Sequence, residues 1–166
     1  MARLIVFSGL PGSGKSTIAR ALAEATGAVW LRIDTIEMAI HASGVVPGSL
    51  DDAGYRAAYA VAEDNLRLGR DVIGDSVNPW MLTRDAWRDV GLRTGADVIE
   101  VEVFCSDADE HRRRVETRTI DVPGLVGPTW AEVTGRDYRP WDRDCLRIDT
   151  ADRDPSACVA QILAAL

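Results

Sequence analysis

Short apolar runs alternate with longer helical patterns along the whole chain. Residues 3 to 7, Arg-Leu-Ile-Val-Phe, are almost continuously apolar, as in a strand buried on both faces. From Lys15 the period changes to that of a helix, with Ile18, Ala21, Leu22 and Ala25 on one face and Gly27 as its stop. Residues 28 to 33 predict a second strand, followed by a short helix with Ile36, Ala39 and Ile40 aligned. Residues 43 to 52 are rich in glycine, proline and aspartate and read as a loop. Tyr55, Tyr59, Ala62 and Leu66 mark a longer helix that stops at Gly69, and residues 71 to 75 a third strand. Trp80, Thr83, Trp87 and Val90 share one side of the next helix. Residues 97 to 105 predict the longest strand. Ser106 to Asp109 predict the cap of a helix that buries Ala108, His111 and Val115. Residues 119 to 128 form a loop with two prolines and two glycines, and Thr129 to Glu132 cap another short helix. Residues 145 to 149 are a fifth strand. Asp154-Pro155 opens a last helix with Val159, Ile162, Leu163 and Leu166 aligned.

Strands separated by helices need crossover connections, so the pattern predicts an α/β domain: a parallel sheet with helices on both faces. The 166 residues show no repeat, low-complexity tract or linker, and residues 1–166 read as a single domain. Such sheets bind ligands beyond the carboxyl ends of their strands. Ser8 to Gly14, Asp34, Asp75 to Asn78, Cys105 to Asp107 and Asp149 to Asp152 should therefore share one rim.

The first stretch of that rim carries the strongest chemistry. Gly9-Leu10-Pro11-Gly12-Ser13-Gly14-Lys15-Ser16-Thr17 fits G-x-x-x-x-G-K-[ST], and Lys15 is the only lysine in the chain. Glycines let the backbone wrap with its N–H groups inward, and the following helix turns its positive end to the same anion. Lysine adds a compact charge that can follow a moving phosphoryl group. This predicts an ATP site of Gly9, Pro11, Gly12, Ser13, Gly14, Lys15, Ser16 and Thr17, with the Ser16 hydroxyl on Mg²⁺. Asp75 at the end of the third strand could hold a water of the same ion; the alternative is a helix or turn cap by Asp75 or Ser76. Asp34 is either a helix N-cap or the base for an acceptor hydroxyl. Glu37, Asn78 and Arg84 are candidates for the acceptor pocket, with a solvated surface as the alternative for Arg84.

Arg114 and Arg118 are four apart and should share a helix side, from which both could reach triphosphate oxygens. An ordinary solvated basic face is the alternative. The loop that follows makes residues 112–128 a lid-like segment. His111 reads as a packing histidine. Trp87 has core spacing, and burial is the default for Trp80, Trp130 and Trp141.

Composition narrows the partners. A net charge of −7 disfavours a nucleic-acid footprint or an anionic membrane surface and leaves room for a neutral or cationic small molecule. No apolar run is long enough to span a membrane, and the chain runs straight into its first strand, so a cytoplasmic protein is expected. Cys105, Cys145 and Cys158 lack metal-ligand spacing and read as buried thiols.

These features together resemble the small kinases of the P-loop phosphotransferase group. The tail, Tyr138-Arg139-Pro140-Trp141 and then Leu146-Arg147-Ile148-Asp149-Thr150, resembles adenylylsulfate kinases. Ile33 to Ala39, the arginine helix and Asp149-Thr150 resemble chloramphenicol phosphotransferase. The resemblance implies a P-loop NTPase fold in three layers, α/β/α, with a five-stranded parallel sheet of order 2-3-1-4-5. It implies Mg-ATP as donor, Asp34 as base, Arg114 or Arg118 as a lid arginine, and adenine beside Asp149 and Thr150. Nucleotide kinases grip an acceptor phosphate with arginines where this chain has Glu37 and Asn78, so the expected acceptor is a hydroxyl of a metabolite or antibiotic without a phosphate. The competing classes are a nucleotide-hydrolysing switch and a 5′-hydroxyl polynucleotide kinase.

Overall fold

The computed structural model describes residues 1–45 and 48–166, so the middle of the loop expected at 43 to 52 lies outside the described residues. The strands are β1 (Arg3–Ser8), β2 (Val29–Arg32), β3 (Val72–Asp75), β4 (Asp97–Phe104) and β5 (Leu146–Asp149). The helices are α1 (Lys15–Thr26), α2 (Ile33–Ala42), α3 (Ala53–Arg67), α4 (Met81–Thr94), α5 (Ala108–Thr117), α6 (Trp130–Thr134) and α7 (Pro155–Leu163). The five strands are parallel in the order β2-β3-β1-β4-β5. This is the P-loop kinase fold that the resemblance implies.

The apolar runs alternate between two cores. Ile5 and Phe7 of β1 pack with Ile18 and Leu22 of α1 and Cys158 and Ile162 of α7. Leu4 and Val6 face the other way, onto Ala58, Ala62 and Leu66 of α3 and Trp87 and Val90 of α4. A strand that feeds both layers has no polar face to show, which is why β1 reads as continuous. Gly74 in β3 makes room for Trp87, whose ring lies 2.8 Å from where a Cβ would stand.

Several local expectations shift. Ala25, Ala39 and Ala108 are exposed rather than buried, and Leu163 is largely exposed. The buried stripe of α4 runs through Arg84, Trp87 and Gly91, and Trp80 caps the helix from the surface. Helix α5 is capped by Asp107, which accepts from the Glu110 N–H, not from Ser106 onward. Thr129 and Glu132 form the expected reciprocal cap of α6. All three thiols are free; Cys158 is buried, while Cys105 and Cys145 are half-buried. No helix among the described residues is long and apolar enough to cross a membrane.

Candidate active site

The loop between β1 and α1 needs its glycines. Gly9 has φ 147°, and a Cβ there would stand 2.2 Å from the Val103 carbonyl oxygen. Gly14 caps α1 at φ 94°, a left-handed conformation that a side chain would strain. Helix α5 supports the loop from outside. His111 Nε2 lies 2.9 Å from the Pro11 carbonyl oxygen, and its ring meets Trp130 edge-on at 5.1 Å. His111 is thus the packing residue expected. Lys15 is 8% exposed at the start of α1.

Beneath Lys15 sits the buried Asp75. Its Oδ1 accepts from Ser16 Oγ at 3.2 Å, and its Oδ2 accepts from Trp30 Nε1 at 3.2 Å. Burial pushes this carboxyl up, against the pull of Lys15, Ser16 and Arg32. Asp75 therefore caps no turn; it joins the phosphate loop to β3. Trp30 went unread in the sequence. It pairs with Ile73, two register pairs before Arg32 with Asp75. A hard cation fits between an anionic oxygen and a hydroxyl, and the buried Ser13 Oγ, without a partner, adds an unused polar atom in the loop.

A cavity of about 780 Å³ opens beside Ser16, lined by Gly12 and Gly14 to Thr17 on one side and by Asp34, Arg118 and Thr150 on others, with Asp75 buried behind its wall. Thr150 is a hub. Its hydroxyl lies 2.9 Å from the Ser13 carbonyl oxygen and 3.1 Å from that of Phe104, and it accepts from Arg114 Nη1 at 2.8 Å. Arg114 Nη2 donates to the Thr150 carbonyl and to the Glu110 carboxylate. Arg114 is consequently a strut between α5 and β5 that also lines the cavity, and not a solvated charge. Arg118 departs from the expectation. It follows the last turn of α5 with extended backbone, φ −64° and ψ 139°, so it shares no helix side with Arg114. It still lines the cavity, with its Nε buried near Gly127. The segment after it is tied down by an ion pair of 2.8 Å between Asp121 and Arg32, a residue that sequence reasoning passed over. Asp149 accepts from the Ser106 and Ala151 N–H groups and orders its loop rather than lining the cavity.

Asp34 is no N-cap: α2 begins at Ile33 after Arg32, and the Asp34 carboxylate stands in the first turn on the cavity wall. Asn78 is fully buried at φ 45°, donating through Nδ2 to the Phe7 carbonyl at 2.8 Å. Arg84 is fully buried too, donating to the carbonyls of Asn78, Arg139 and Pro140. Neither lines the cavity; both lock the loop after β3. A buried guanidinium is tolerated because backbone oxygens outside the sheet ladder need donors.

Glu37, one turn beyond Asp34, does not line the cavity either; it is half-buried over Gly54. Burial first, then Asp34, pushes its carboxyl above the usual range, with His41 opposing. A carboxyl raised in the folded state costs stability as pH climbs from its unfolded value through its folded one. Glu37→Gln should thus raise the Tm of the ligand-free protein by about 1–2 °C at neutral pH. The gain should vanish below about pH 4, where both states hold the proton. Melting curves from pH 4 to 8 check this, and an unchanged or lowered Tm at pH 7 would contradict it.

Known proteins share the sequence family and the fold. The family model described as AAA domain matches residues 4–123. A shikimate kinase of Mycobacterium tuberculosis is 34% identical over 179 residues, covering 100% of this chain and 94% of its own. An uncharacterised protein of the same species is 34% identical over 128 residues, 72% of this chain. The chain spans about a quarter of that relative, 24% of its length. Among solved structures, the Mycobacterium tuberculosis APS kinase in complex with AMPPNP and APS shares the fold, with a TM-score of 0.72 at 23% identity over 98% of this chain and 96% of that one. The chain belongs to the family described as AAA domain.

Proposed function

We propose that this protein moves the γ-phosphoryl group of ATP to a hydroxyl of a small molecule, a metabolite or an antibiotic. The observation that carries the reading is Ser16, hydrogen-bonded to the buried Asp75 and set beside Lys15 on the wall of a cavity that Asp34 also lines. The backbone of Gly12 to Thr17 and Lys15 would hold the triphosphate, and Ser16 and Asp75 the Mg²⁺. When bound, Mg-ATP supplies the phosphoryl donor and a cation that screens its charge. Thr150 and Arg114 fix the loop's far side, and Arg118 offers a second guanidinium to the phosphates. Asp34 takes the proton of the acceptor hydroxyl at its free carboxylate.

Asp34→Asn is expected to keep ATP affinity and lose acceptor phosphorylation by about a hundredfold. Nucleotide titration and product formation measured on the same preparation separate the two. Unchanged product formation would remove Asp34 as base.

Residues 112–128 act as a lid in this reading. The Arg32–Asp121 ion pair holds the segment near the cavity, where Thr119 and Ile120 already line it. Closure would shut out water that competes with the acceptor. Hydrogen exchange across 110 to 130 should slow when a non-hydrolysable ATP analogue is added. Equal exchange with and without the analogue would leave the segment an ordinary loop.

A further inference from the structure

The end of β2 sets a guanidinium and an indole beside the buried Asp75. Trp30 pairs with Ile73 and Arg32 with Asp75 in parallel register. Side chains alternate along each strand, so all four point to the face of the sheet that α1 covers. Arg32 is therefore the cross-strand neighbour of Asp75 and its natural ion-pair partner. It goes elsewhere. Its guanidinium pairs with Asp121 at 2.8 Å and lies 5.7 Å from the Trp30 ring centroid, and its Nε is buried without a partner. Asp75 instead accepts from two neutral donors, Ser16 Oγ on Oδ1 and Trp30 Nε1 on Oδ2, each at 3.2 Å. The Trp30 ring is half-buried: it packs against the core under α1 and lines the cavity.

The terminal torsion of an aspartate is soft, so a carboxylate left to itself offers either oxygen to a cation. The indole N–H removes that freedom. With Oδ2 on Trp30, Oδ1 is the oxygen left facing Ser16 and the phosphate loop. The donor's neutrality matters as much as its place. An arginine on Oδ2 would fix the carboxylate equally well, but it would offset the charge that attracts a divalent cation. An indole has one N–H and no charge. It orients the carboxylate and leaves the negative charge for the metal, while Asp121 keeps the rival guanidinium away.

We propose that Trp30 is a positioning residue for the metal, its indole N–H holding Oδ2 of Asp75 so that Oδ1 is left for a divalent cation at Ser16. This assignment rests on the reading of Ser16 and Asp75 as the Mg²⁺ site. A donor behind a metal-binding carboxylate is worth about ten- to a hundredfold in metal affinity.

The test uses Mn²⁺, whose paramagnetic signal reports binding directly, in place of Mg²⁺. Its affinity for the protein with ADP is measured by electron paramagnetic resonance, and thermal melting checks that each variant is folded. Trp30→Phe keeps a ring without the N–H and should weaken Mn²⁺ by about tenfold or more, with metal-free ADP affinity unchanged. Trp30→His should recover most of the loss, because imidazole Nε2 stands two bonds from its Cγ as indole Nε1 does. In an Asp75→Asn background, Trp30→Phe should add nothing further, since it acts through that carboxylate. Trp30→Leu is read the same way if the phenylalanine variant does not fold. Mn²⁺ affinity within about twofold of the wild type in Trp30→Phe, a histidine variant no better than the phenylalanine one, or a loss that persists in full in Asp75→Asn would each overturn the proposal. Unchanged affinity in Asp75→Asn alone is the failure of the metal-site reading, and the proposal falls with it. A loss there with none in Trp30→Phe leaves that reading standing and removes only the role of Trp30.

Discussion

Lys15→Ala is expected to abolish phosphoryl transfer while leaving the fold intact. The lysine is 8% exposed, and its stem lies at the start of α1 rather than in either core. Its work is electrostatic. The ammonium stands beside the buried Asp75 and is the largest influence opposing that carboxyl's desolvation. On the triphosphate side it would stabilise charge that develops on the moving phosphoryl group. Removing one such donor in a water-poor site costs on the order of a hundred- to a thousandfold in rate. A second consequence follows at Asp75. Without the ammonium its carboxyl rises further, so metal affinity in the variant should fall more steeply as pH drops. Steady-state transfer, thermal melting and circular dichroism on one preparation check the result. Normal turnover in a folded variant would contradict the phosphate-loop assignment.

Arg84→Ala should produce the largest loss of stability of any single substitution considered. The guanidinium is fully buried, donates to three backbone carbonyls, and lies 4.2 Å from the Trp141 ring centroid and 5.1 Å from that of Tyr138. Alanine leaves a cavity and three unsatisfied oxygens. The two effects together cost about 3–5 kcal/mol, or roughly 10 °C in Tm. Arg84→Lys should recover only part, since an ammonium cannot present the planar fork or stack on the indole. The damage should spread to the loop after β3, because Arg84 holds the Asn78 carbonyl and Asn78 holds that of Phe7. Urea or thermal unfolding reads this directly. A loss under about 1 kcal/mol would show that the guanidinium does not carry that loop.

Residues whose roles are set by near neighbours were legible in the sequence; those set by distant ones were not. Gly9 to Thr17 declare the phosphate loop because its spacing is local and its glycines have few substitutes. Asp154-Pro155 and the Thr129–Glu132 cap are equally local. Arg84 failed because an arginine in a helix reads as surface. What buries it are carbonyls 55 and 56 residues further on, which no local pattern announces. Arg118 failed because α5 ends one residue before it, with neither glycine nor proline as a signal. Asp34 was misplaced by a smaller margin: α2 starts without a turn after β2, so the acid falls inside the helix instead of capping it. Trp30 was invisible because its partner Asp75 is 45 residues away, on the neighbouring strand.

Transfer itself is the most direct measurement. The protein, Mg²⁺ and ATP labelled at the γ-phosphate should be incubated with pooled hydroxylated metabolites and antibiotics. Label should appear in an organic product, with ATP consumption rising when that acceptor is present and lost in Lys15→Ala. Label released only as inorganic phosphate, at one rate whether or not any acceptor is present, would contradict the account and describe a nucleotide-hydrolysing switch instead.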